Sequence, residues 1–111
     1  MGVDAKCILK ETMPTKIAEY LHSLPHVEKV KMAPAMNDFW WIIFYWHGEK
    51  RCMAIFFNGN CKSDYESVYP HDACYCSIGK WGMSDAIVIS LAKHFGGFYQ
   101  LEDTTDQWKS S

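Results

Sequence analysis

Arginine is nearly missing. Arg51 stands alone among eleven basic residues in a chain of 111. The bidentate fork that grips phosphates and guanine edges is therefore in short supply. The formal net charge is −2, whereas a chain devoted to duplex nucleic acid carries a strong basic excess. No apolar run reaches membrane-spanning length. The start, Met1-Gly2-Val3-Asp4, has neither the basic region nor the apolar stretch of a secretion signal. Gly2 invites N-myristoylation, but Lys6 stands where that motif needs Ser or Thr. Walker A, G-x-S-x-G, G-x-G-x-x-G and EF-hand patterns are all absent. The five cysteines (7, 52, 61, 74 and 76) are odd in number and irregular in spacing. Without a secretion signal they are expected as reduced thiols in a cytosol. These absences point to a cytoplasmic, non-membrane, non-enzymatic protein without a cofactor.

Aromatics, by contrast, are plentiful, at 15% of a chain that is 49% hydrophobic. That is enough for one real core, with disorder expected only at the ends. The densest stretch is Phe39-Trp40-Trp41-Ile42-Ile43-Phe44-Tyr45-Trp46. Six aromatic and two β-branched residues over eight positions predict a strand. A polar break, His47 to Arg51, separates it from a second apolar run, Cys52 to Phe57, which predicts a β-hairpin. Phe39, Trp41, Ile43 and Tyr45 share one parity; Trp40, Ile42, Phe44 and Trp46 share the other. Both rows are apolar, so the strand needs cover on both faces.

Around this hairpin the chain alternates between elements. Residues 3–10 read as a half-buried strand. Thr12 caps, and Pro14 opens, a helix with its stripe at Ile17, Ala18, Leu21 and Leu24, and Pro25 stops it. Residues 26–33 predict a strand with Val30 and Met32 inward and Lys29 and Lys31 outward. Residues 34–38 form a turn. The segment 58–82 is irregular and polar, with Tyr65, Tyr69 and Tyr75, and a short strand near 73–77. A loop of that length inside a small domain is functional or locally mobile. Ser84 caps a second helix, buried along Val88, Leu91, Ala92 and Phe95, with Asp85 near its positive end. Gly96-Gly97 ends it in left-handed backbone, and 98–101 is a last short strand. The expected fold is α+β: one mostly antiparallel sheet of four to five strands with two helices packed on one face. Residues 1–102 make the domain, and 103–111 a frayed polar tail with only Trp108 held.

Leu91-Ala92-Lys93-His94-Phe95-Gly96-Gly97-Phe98-Tyr99, followed by Glu102, Asp103 and Asp106, resembles the end of small uncharacterised accessory proteins encoded by tailed bacteriophages. The opening Met1-Gly2-Val3-Asp4-Ala5-Lys6 is similar to such proteins too. The resemblance covers about a quarter of the chain. It implies a phage or prophage accessory protein in a host cytoplasm, a class that works by binding and blocking a host protein.

Three chemistries compete for the remaining features. Cys61, His71, Cys74 and Cys76 lie within sixteen residues and offer zinc donors on a loop, though without a known ligand knuckle. Aromatics interleaved with lysines on an open sheet can stack bases, although the glycine-aromatic segment of RNA-recognition folds is absent. The reading preferred is docking. Trp40, Trp41, Phe44, Tyr45 and Trp46 on the sheet, with Tyr65 and Tyr69 on the loop, are the expected contact residues. Trp and Tyr are enriched at interface centres. The expected partner is a host protein, with a second copy of the chain or the 58–82 loop as alternative cover, and nucleic acid not favoured.

Overall fold

Residues 39–46 form a strand flanked by antiparallel neighbours of ten and eight residues, and the rest of the sheet grows outward from the shorter one. The computed structural model describes residues 4–79, 84–101 and 108–110. In chain order the elements are β1 (Ala5–Leu9), α1 (Pro14–Ser23), β2 (Val27–Met36), β3 (Phe39–Trp46) and β4 (Glu49–Phe56). They continue with β5 (Cys74–Ile78), α2 (Ser84–Phe95), β6 (Gly97–Gln100) and β7 (Lys109–Ser110). Among the described residues, seven strands make one antiparallel sheet in the order β2-β3-β4-β5-β1-β6-β7. The class is the α+β one expected, with seven strands rather than four to five; β7, two residues held only by pairing with β6, has no period of its own to read.

The two helices lie side by side on one face of the sheet. Ile17 and Leu21 of α1 and Ile87, Val88, Leu91 and Ala92 of α2 pack on Cys7 and Leu9, Ile42 and Phe44, Met53 and Ile55, and Cys76 and Ile78. Tyr20 of α1 ties the helices together. Its ring stacks on His94 at 4.0 Å, and its hydroxyl lies 2.6 Å from the Ser90 hydroxyl. His94 in the last turn of α2 is thus a packing residue.

Several boundaries differ from the sequence reading for local reasons. Helix α1 has Met13, not Thr12, at its N-cap, with no side-chain capping bond. The Glu11 carboxylate accepts from the Thr12 and Met13 amides instead, at 3.0 and 3.2 Å. Strand β2 runs through Pro34 to Met36, which an edge strand tolerates because one side of its backbone needs no ladder partner. It carries irregularities between Glu28 and Lys31 and between Pro34 and Met36, and Lys29 has φ 56. The β3–β4 connection shrinks to His47-Gly48, with Trp46 opposite Glu49. Both turn residues have positive φ, 50 and 81, as a two-residue type I′ turn requires. Ser84 is the first residue of α2, and its hydroxyl donates to the Gly79 carbonyl at 2.7 Å. Near the end of the chain Lys109 and Ser110 pair with Tyr99 and Phe98. Glu102, Asp103 and Asp106 lie outside the described residues, as do Met1 to Val3.

Candidate functional site

Which aromatic row faces outward is set by the helices. Phe44 and Ile42 are fully buried beneath them, and Trp46 packs at the edge of that core. The second face carries Phe39, Trp41, Ile43 and Tyr45. The registers extend this face across the molecule in one continuous row. Met36 lies opposite Phe39, Phe39 opposite Phe56, Phe56 opposite Tyr75, Tyr75 opposite Ile8, and Ile8 opposite Phe98.

The irregular segment after β4 covers half of that row. Tyr65 is fully buried against Ile8, Ala73 and Tyr75, with Val68, Tyr69 and Trp108 packed around them. Ile8 is therefore 0% exposed, and β1, read as half-buried, is covered on both sides. Burial pushes the Tyr75 hydroxyl up to about 12, with the nearby Asp64 carboxylate adding to the shift. The Tyr65 hydroxyl is likewise raised, mainly by burial.

The other half of the row is left open. Phe39 and Phe56 stack with ring centroids 4.6 Å apart and 7° between planes. Trp41 meets Phe39 edge-on at 5.4 Å, and Phe56 leans on Tyr75 at 6.0 Å. The open cluster is thus continuous with the covered one. Trp41 is 38% exposed, and Met36, at the tip of the β2–β3 hairpin, 71%. At the far end of β3 the surface becomes basic. The Lys29 ammonium lies over the Tyr45 ring, 5.1 Å from its centroid, while Lys50 stands opposite Tyr45 and Lys31 opposite Ile43. All three lysines are exposed, as is Glu28. Arg51 takes no part. It sits opposite Phe44 on the helix side, 4% exposed, with its guanidinium 3.0 Å from Glu49.

The expected contact residues thus divide. Trp41 and Tyr45 lie on the open face. Phe44 is interior, and Trp46 belongs to the helix-side core. Trp40 projects to the helix side, where it lines a shallow depression of about 590 Å³ with Pro34, Met36, Asp38 and Phe57. Tyr65 and Tyr69 are part of the cover itself. Phe39, Phe56, Met36, Lys29, Lys31 and Lys50 were missing from the expected set. Phe56 was within reach: a two-residue turn at His47-Gly48 places it opposite Phe39.

The zinc donors do not converge. Cys74 and Cys76 point into the helix-side core, Cys61 packs in the cluster on the opposite face, and His71 is exposed beside Tyr69. Among the described residues no group of three or more His, Cys, Asp or Glu is placed to hold a metal ion. Burial raises the Cys74 and Cys61 thiols. The Cys76 thiol is raised by its hydrogen bond with Cys7, directly opposite it, and by burial. Cys74 and Cys76, both buried, are inert core thiols in character.

Compared with known proteins, the chain matches no family model, no curated protein and no solved structure. Among the described residues no helix is long and apolar enough to cross a membrane.

Proposed function

We propose that this chain is a small accessory protein of bacteriophage type, without enzymatic activity, that works by binding a host protein. The contact surface is the open half of the sheet, centred on Trp41, Phe39 and Phe56. One observation carries this reading: a continuous aromatic row is covered by the chain's own loop over one half and left partly exposed over the other, with Trp41 and Met36 the exposed residues. A solitary exposed apolar residue needs no explanation, but a contiguous patch does. Large aromatics supply much contact area with little loss of side-chain freedom, which suits them to the centre of an interface.

Base stacking is the weaker alternative. Phe39 and Phe56 present their faces to each other, and one face of Tyr45 is occupied by Lys29. The only arginine is buried on the opposite side.

The test compares capture from a bacterial host lysate by the wild type and by the double variant Phe39→Ser/Trp41→Ser. Bound proteins are identified by mass spectrometry. The expected result is a partner retained by the wild type and lost by the variant, with an unchanged circular dichroism spectrum. Phe44→Ser is the contrasting control: it should cost about 3–5 kcal/mol and unfold much of the protein. Equal capture by the wild type and the double variant would refute the assignment of the contact surface.

A further inference from the structure

The open strip has two chemically different ends, and this constrains what can lie on it. Its apolar end is Met36, Phe39, Trp41 and Phe56. Its other end is Ile43 and Tyr45, ringed by Lys29, Lys31 and Lys50, with Glu28 opposite Tyr45. From Phe39 to Tyr45 the distance along the strand is about 20 Å. The acids of the covering loop (Asp64, Glu66 and Asp72) are all exposed. Asp64 is close enough to raise the Tyr75 hydroxyl, which places negative charge beside the covered half. Lys62, the lysine of that loop, is paired with Asp72 at 3.2 Å. Positive charge therefore borders the open half at one end, while the acids of the loop belong to the covered half.

From this charge pattern we infer that the host-protein ligand is a peptide segment with apolar anchors at one end and acidic residues at the other, lying along β3. Its anchors sit on Trp41, Phe39, Phe56 and Met36, and its carboxylates meet Lys31, Lys50 and Lys29. The inference rests on the binding reading above and adds the partner's chemistry and direction. A segment in the reverse direction would leave the lysines facing apolar side chains. A basic segment would be repelled by the same lysines, so the charges select orientation as well as identity. Pairing along the free edge of β2 is disfavoured by its bulge, by Pro34 and by its lysines, devices that blunt an edge strand against added strands. The face, not the edge, is what remains to bind.

The full chain can be tested against a display library of random peptides about 12 residues long, twice the extended span of the strip. Enriched peptides are then synthesised and titrated by fluorescence polarisation. The expected consensus is an apolar cluster followed or preceded by Asp and Glu. Binding should vanish in Trp41→Ser. It should weaken about tenfold or more in Lys31→Glu/Lys50→Glu, and at raised salt. The lysine variant should keep the wild-type urea midpoint, since both lysines are exposed, and Trp41→Ser should lower it while keeping one cooperative transition with the wild-type slope. Peptides that need Trp41 but show no acidic bias and ignore the lysine changes would overturn the inference while leaving the contact surface intact. Peptides indifferent to Trp41 would overturn both. Two further results would replace a peptide with another occupant and so overturn the inference. One is salt-sensitive binding of an oligothymidylate that depends on Trp41. The other is a Trp41-dependent dimer in light scattering at working concentration.

Discussion

Gly97→Ala is the sharpest single test of how α2 returns to the sheet. Gly96 and Gly97 both have positive φ, 78 and 140, but their surroundings differ. A side chain on Gly96 would meet only the flexible stem of Lys10, with Cδ at 3.5 Å. On Gly97 it would collide with the Ile8 carbonyl oxygen and lie 3.2 Å from the Leu9 Cα. Those are backbone atoms of a strand laddered on both sides, by β5 and by β6, and Ile8 and Leu9 are fully buried. The obstacle cannot swing away without breaking one ladder or the other. Backbone strain at such a φ costs about 1–3 kcal/mol, and forcing an extra methyl into packed surroundings about 1–3 kcal/mol more. Gly97→Ala should therefore lose about 2–6 kcal/mol, a large part of a small domain's stability. Gly96→Ala should lose only about 1–2 kcal/mol, from the left-handed backbone alone. Urea denaturation followed by circular dichroism measures both, and comparable slopes would confirm that the midpoints report stability. Equal losses, or a loss under about 1 kcal/mol at Gly97, would refute the steric explanation.

Two further expectations concern the thiols. In the native protein Cys52 and Cys61, both half-buried, should alkylate, and the buried Cys7, Cys74 and Cys76 should resist. Mass spectrometry should count five modified thiols after denaturation, and a species two mass units lighter would show a disulfide instead. Stability should also fall in alkali. Cys74 and Cys76 are held protonated above the ordinary value of 9.0, so their contribution is fully present below about pH 9. It is lost as the pH rises toward their folded values, at about 1.4 kcal/mol per pH unit for each thiol ionised only in the unfolded chain. Melting temperatures from pH 8 to 10.5 should decline, and Cys74→Ala/Cys76→Ala should flatten the decline even if it lowers the starting value.

By itself the sequence determined the pieces whose signals are local. Eight aromatic and β-branched residues could only be a strand, and it runs from Phe39 to Trp46 as read. The 3.6-residue stripes located both helices, and Gly96-Gly97 marked the end of the second, because a chain leaving a helix sharply needs backbone that only glycine adopts cheaply. Tertiary structure alone decided what each strand faces. Both rows of β3 are apolar, so its pattern is degenerate. Only the landing of α1 and α2 on Ile42 and Phe44 turned Trp41 and Tyr45 outward. The loop from Asn58 has no period to read, yet Tyr65 folds back onto Ile8 and Tyr75 across long stretches of chain. The zinc donors were neighbours in sequence but fell on opposite faces. Alternation along β5 sent Cys74 and Cys76 to the helices, while Cys61 stayed with the loop on the other side. The lysines ringing Tyr45 gathered only when β2, with its bulge, and β4 were laid on either side of β3. Local sequence fixes periodicity and turns; the side of a sheet that stays bare depends on distant segments competing to cover it.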